Sequence, residues 1–177
     1  MRKLSMEELG RLSVNEFKQT EKTPVALVLD NVRSALNVGS AFRTADAFAL
    51  EHIYLCGITA TPPHREILKT ALGATDTVDW SHHDNLPELA QTLKSQGYLV
   101  IAVEQVDRSI PLSNFQVEPG RRYALIFGNE VEGVSSEVLP HCDACLEIPQ
   151  AGTKHSINIA VCVGIVSWEL FRQFNFI

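Results

Sequence analysis

Unbroken apolar runs of strand length alternate along this chain with polar, glycine-punctuated stretches, the pattern of strands buried on both faces of a parallel sheet. The run Val25-Ala-Leu-Val-Leu29 predicts the first strand. Further runs predict strands at 53–56, 98–103, 123–127 and 144–148, with a short one at 77–80. Between them, 38–48, 66–72 and 84–96 read as helices. Gly73 and Gly97 stop the last two of these, and Asp84 caps the third. A final helix is expected over 156–174. Its apolar residues, among them Ile159, Val161, Val163, Ile165, Val166 and Trp168, go right around the cylinder, so it must be covered on several sides by the fold or by a second subunit. Val163 and Val166 are candidate partner-facing positions. Ahead of all this, Ser5-Met-Glu-Glu8 is a capping-box pattern, and with Leu9, Leu12 and Phe17 on one stripe it predicts a helix over 5–18. The fold class that follows is α/β, a mostly parallel sheet with helices on both faces.

A length of 177 residues suits one domain with a short appendage, here a helical extension over 1–22 and a domain over 23–177. No stretch approaches the ~20 apolar residues that cross a bilayer, and Met1-Arg-Lys-Leu-Ser begins no secretory apolar region; a cytoplasmic location is the default expectation. The net charge of −6 does not by itself point to nucleic acid. Cations are locally dense, however, and any RNA-binding surface must be a stripe drawn from Arg33, Arg43, Arg121, Arg122, Lys154 and the first 22 residues, which hold five cations against four acids.

Cys142 and Cys145 form a C-x-x-C pair without the second pair that zinc needs, and read as small residues entering a strand. His82-His83-Asp84 reads as a polar turn and helix cap rather than a metal site. No G-x-G-x-x-G follows the first strand and no G-x-x-x-x-G-K-[ST] occurs, which argues against a dinucleotide or nucleoside-triphosphate cradle.

Three segments carry candidate chemistry. They are Asn31-Val-Arg-Ser-Ala-Leu-Asn37-Val-Gly39-Ser-Ala-Phe-Arg43, then Leu125-Ile-Phe-Gly128-Asn-Glu130-Val-Glu-Gly133, then Ile148-Pro149-Gln-Ala-Gly152-Thr-Lys-His-Ser156-Ile-Asn158. Each pairs glycine with polar groups where an apolar run gives way to a loop. In a parallel α/β sheet, loops at the carboxyl ends of strands converge on one ligand site. Taken singly, Gly128, Gly133 and Gly152 are explained as turn formers. Asn37 and Ser156 are explained as helix caps, and Glu130 as one half of a surface ion pair.

In order and spacing the three segments resemble the motifs of the SpoU/TrmH class of SPOUT methyltransferases, which methylate ribose 2′-hydroxyls of RNA. The resemblance runs from about Pro24 to the C-terminus. It implies a C-terminal trefoil knot, a homodimer with its active site across the interface, and S-adenosylmethionine held by Phe127, Gly128, Asn129, Gly133, Ile148, Gln150, Ser156, Ile157 and Asn158. It also implies catalytic roles for Asn37, Arg43, Glu130, Ser156 and Asn158. Arg43 is the central residue by motif position; a guanidinium stays protonated at neutral pH, so it fits a clamp on phosphate or nascent alkoxide better than a general base. Asn37 would orient Arg43 or the ribose. Lys154 suits phosphate, and His155 titrates near neutrality and suits a proton relay. A finer similarity, over Val103-Glu104-Gln105, Ile148-Pro-Gln and Trp168-Glu169, is to enzymes that methylate a D-loop guanosine of tRNA. It implies tRNA before ribosomal RNA. The alternative from another class is a non-catalytic RNA-binding module that keeps the knot.

Overall fold

Seven strands line up side by side in the computed structural model, which describes residues 1–5, 8–154 and 156–176. They are β1 (Thr23–Asp30), β2 (Leu50–Cys56), β3 (Trp80–His83), β4 (Tyr98–Val103), β5 (Ile110–Pro111), β6 (Arg122–Phe127) and β7 (Ala144–Glu147). Every pairing between them is parallel, in the order β3-β2-β1-β6-β4-β7-β5. From β1 the chain winds outward to β3, then returns to build the other half. The order therefore switches beside β1 and β6, where a crevice opens at the carboxyl ends of the strands.

The helices are α1 (Val14–Gln19), α2 (Ala35–Ala47), α3 (Arg65–Ala71), α4 (Ala74–Thr77), α5 (Leu86–Ser95) and α6 (Ile159–Phe176). They cover both faces because the strands are apolar on both. On one face Val25, Leu27 and Leu29 of β1 pack with Val38, Phe42 and Ala45 of α2 and with Val163, Val166 and Leu170 of α6. On the other, Ala26 and Val28 pack with Leu86, Leu89, Ala90 and Leu93 of α5. Gln173 locks the far end of α6, donating to the carbonyl of Phe115 at 3.0 Å and accepting from the amide of Val117 at 2.8 Å.

α2 and α3 cross closely at Gly39, where an added Cβ would stand 2.3 Å from the carbonyl oxygen of Ile67 and 2.1 Å from Thr70 Oγ1. Gly39→Ala is accordingly expected to cost about 1–3 kcal/mol of stability, as overpacking of a tight contact does. A thermal midpoint equal to that of the natural chain would show that the two helices separate without cost.

Several boundaries differ from expectation. The helix expected over 5–18 is not continuous: Ser5 and Glu8 do exchange capping-box bonds, but Gly10 turns left-handed at φ +57° and a second capping box, Ser13 with Glu16, starts α1 afresh. Met6 and Glu7 lie outside the described residues. The strand expected at 77–80 begins at Trp80, because Gly73 opens the short helix α4 that consumes Thr77. His82 and His83 therefore belong to β3 rather than to a turn, and Asn85, not Asp84, caps α5. Val163 and Val166 are fully buried; before its last turn, the exposed apolar residues of α6 are Val161, Ile165 and Trp168, at 52%, 37% and 46% exposure. Among the described residues no helix is long and apolar enough to cross a membrane.

Candidate active site

Asp30 ends β1 almost fully buried and ties the start of the first motif segment to the loop that follows the second. One carboxylate oxygen accepts the Asn31 side-chain amide and the other the Ser135 backbone amide, each at 2.8 Å. After β6 the chain folds back on itself. Asn129 and Gly133 exchange backbone hydrogen bonds, while the Asn129 side chain accepts the amides of Val131 and Glu132 at 3.0 and 2.9 Å. Gly133 takes φ +70°, and a Cβ on Gly128 would meet the Gly133 carbonyl carbon at 1.9 Å. These two glycines are thus required by the loop itself. A Cβ on Gly152, in contrast, meets nothing closer than 4.0 Å.

The third wall comes from β4. Glu104 Oε2 accepts the Val134 amide at 3.0 Å, Oε1 accepts the Gln105 amide at 2.8 Å, and the Glu104 amide donates to the carbonyl of Leu146. One residue thereby joins the end of β4, β7 and the loop after β6. Together these loops and the start of α6 enclose a cavity of about 300 Å³. Of the nine residues expected at a donor site, Phe127, Gly128, Asn129, Gly133, Ile148, Gln150, Ser156 and Ile157 line it. Asn158 instead caps α6, its side chain accepting the Ala160 amide at 2.9 Å. Ser156, also a candidate cap, lies on the cavity wall.

Four carboxylates line this cavity, Glu104, Glu130, Glu132 and Glu147, and no Lys or Arg does. None of the four is ion-paired among the described residues. Its floor is apolar, and burial pushes the Cys162 thiol there up to about 11, so it stays protonated. Glu104 lies in the Val103-Glu104-Gln105 segment of the finer similarity but is not among the expected donor-site residues, and Glu147 is in none of the motifs; the end-of-strand rule that locates the loops also locates both, since Glu104 directly follows β4 and Glu147 closes β7.

Asn37 stands at the rim. Its Nδ2 donates to Glu130 Oε1 at 2.5 Å and its Oδ1 accepts from Asn158 Nδ2 at 3.5 Å, so one residue from each motif meets there. Arg43 is not part of that cluster. Six residues along an α-helix amount to about 9 Å of rise and about 120° of rotation. Arg43 consequently faces a groove between α2, α3 and α6, exposed and without a hydrogen bond or ion pair among the described residues. Asn37 therefore does not orient Arg43 within one chain.

The expected cationic stripe divides. Arg33 and Lys154 are exposed beside the motif loops. Arg121 and Arg122 precede or begin β6, about 20 Å away at the opposite edge of the sheet by strand rise. Arg121 pairs with Glu118 at 3.1 Å, and Arg122 pairs with Glu51 at 3.1 Å while lying over the Tyr98 ring. His155 lies outside the described residues.

The sequence profile of the SpoU rRNA Methylase family matches residues 24–168. An uncharacterized tRNA/rRNA methyltransferase of Synechocystis sp. is 31% identical over 96% of this chain and 43% of its own. The 23S rRNA (guanosine-2′-O-)-methyltransferase RlmB of Vibrio parahaemolyticus is 29% identical over 94% of this chain and 66% of its own. This chain thus spans roughly half to two thirds of the length of these relatives. Among solved structures, the AdoMet-bound rRNA methyltransferase from Sinorhizobium meliloti superposes with a TM-score of 0.80 at 26% identity, over 91% of this chain and 61% of that one. From the profile match and the shared parallel fold, the chain belongs to the SpoU rRNA Methylase family.

Proposed function

We propose that this chain transfers a methyl group from S-adenosylmethionine to a ribose 2′-hydroxyl of RNA, working as a homodimer in the cytoplasm. The observation that carries the reading is the cavity at the carboxyl edge of the sheet, built from the two glycine loops and lined by four carboxylates that have no ion pair among the described residues. Its charge fits a ligand with a sulfonium and an ammonium and opposes a nucleoside polyphosphate. S-adenosylmethionine supplies, when bound, a methyl group activated by that sulfonium.

The chain's own residues do the rest. The loop at 128–134 and the segment at 148–157 offer backbone and apolar wall for the donor's adenosine, as the resemblance implies. Glu130, held by Asn37, keeps a negative charge fixed at the rim for the donor's ammonium. Asn158 fixes Asn37 from α6. Arg43 meets the site of a partner subunit and stabilises the negative charge that develops on the 2′-oxygen. Two features support this crossing: Arg43 lies outside its own chain's rim cluster, and it borders α6, whose outward stripe is apolar. The trefoil knot around these loops belongs to the same proposal, as does the division into an extension over 1–22 and a methyltransferase domain over 23–177.

For the substrate we propose tRNA, at a guanosine of the D-loop. Ribosomal RNA is the second reading, favoured by the relatives that carry the 23S rRNA guanosine name. Incubation with methyl-labelled S-adenosylmethionine and total RNA, followed by mapping of the labelled ribose, decides between them. Donor binding without label in any RNA would instead support the non-catalytic RNA-binding module. A direct check on the pocket is Gly128→Ala, whose Cβ collides with the backbone of Gly133 and Val134. It is expected to weaken donor binding at least tenfold in a titration; unaltered affinity would place the donor elsewhere.

A further inference from the structure

Six of the fifteen Lys and Arg side chains are ion-paired among the described residues: Arg2, Lys94, Arg108, Arg121, Arg122 and Arg172. A polyanion must be met by the others. Two of these, Arg43 and Lys69, share the groove of about 520 Å³ between α2, α3 and α6, and no Asp or Glu lines it. Both are exposed and neither has a hydrogen bond or ion pair among the described residues. Arg65 stands one turn before Lys69 on the same side of α3.

The backbone positions that carry the two cations are fixed relative to each other. Lys69 adjoins Thr70, and Arg43 lies one turn beyond Gly39, the point where α2 and α3 cross so closely that a Cβ does not fit. Hydroxyls in the groove have distinct states. Ser40 and Thr70 both donate to the carbonyl of Leu36, at 2.9 Å each, which leaves them no proton to offer. The Thr44 hydroxyl has no partner among the described residues and remains a free donor. Two cations and a free donor without a carboxylate match a phosphodiester. The donor cavity, with four carboxylates and no Lys or Arg among the described residues that line it, has the opposite preference.

We infer that this groove seats an RNA phosphate, with Lys69 as an RNA-binding residue that acts beside Arg43, and with Arg65 continuing the track. The inference rests on the methyltransferase reading and refines it. In RNA the phosphate 3′ of a nucleotide is attached to the carbon next to the one that bears the 2′-hydroxyl. A cation pair on that phosphate therefore brings the hydroxyl within reach of Arg43. Lys69 is a positioning residue in this arrangement, since it touches phosphate and not the reacting atoms.

The test is RNA affinity as a function of salt, measured with bulk tRNA on the full chain. Lys69→Gln is expected to bind several-fold more weakly, and its log–log salt slope to fall by roughly 0.7–0.9, the loss of one phosphate contact. KM for RNA should rise with kcat nearly kept, donor affinity and sedimentation should stay as in the natural chain, and Lys69→Arg should restore binding. Lys94→Gln removes the same charge from the face covered by α5 and should leave the slope unchanged. Full RNA affinity and an unaltered slope in Lys69→Gln overturn the inference. So does a natural chain that binds S-adenosylmethionine but not RNA, whereas a chain that binds neither overturns the methyltransferase reading itself.

Discussion

Arg43→Ala is expected to lower the rate of methyl transfer by about 10²–10³-fold or more, the cost of removing one preorganised group that faces developing charge. S-adenosylmethionine affinity should stay within a few-fold of the natural value. The two quantities separate because Arg43 lines none of the acidic cavity and takes no part in the Asn37, Glu130 and Asn158 cluster. Arg43→Lys should rescue poorly, since a point charge does not reproduce the planar fork of a guanidinium. Single-turnover rates at saturating donor, with donor binding followed by calorimetry, measure both. If donor affinity drops in proportion to the rate, Arg43 belongs to the donor pocket and the assignment fails.

How much of this was legible in the sequence depended on whether the signal was local. The strand at Tyr98–Val103 was readable because six apolar residues follow a stop glycine, and the donor loops because each follows such a run. In the extension, the apolar stripe over 5–18 runs through Gly10, whose left-handed turn interrupts any helix. Long-range partners were invisible. Nothing near Arg122 announces Glu51, 71 residues earlier, and so a side chain fully engaged in the sheet passed for a free cation. Lys69 shows the converse: its local sequence is ordinary, and only the crossing of α2 and α3 at Gly39 sets it beside Arg43. Helix α6 posed a problem of phase. When every side of a helix is apolar, composition says that all sides are covered but not by what, and Val163 and Val166 could not be told from Val161 and Ile165.

That phase decides the second large effect. Val161, Ile165 and Trp168 follow one another at helical spacing of four and three, and they point away from the sheet while Trp168 stacks with Phe48 at 5.8 Å and Phe171 at 5.9 Å. A charge placed in that stripe should prevent a second copy from covering it and leave the core of the subunit intact. Ile165→Glu is accordingly expected to sediment as a folded monomer without turnover, whereas the same change at fully buried Val166 should unfold the chain. Mixing distinguishes loss of the interface from loss of the site. Subunits carrying Arg43→Ala keep a donor pocket, and subunits carrying Gly128→Ala keep Arg43; each alone is inactive if both residues are needed. In a symmetric dimer whose sites cross the interface, half of the randomly mixed dimers are mixed pairs and each of these regains one of its two sites, so about a quarter of natural activity returns. No recovery on mixing, with exchange of subunits verified by sedimentation, would mean that Arg43 serves the pocket of its own chain.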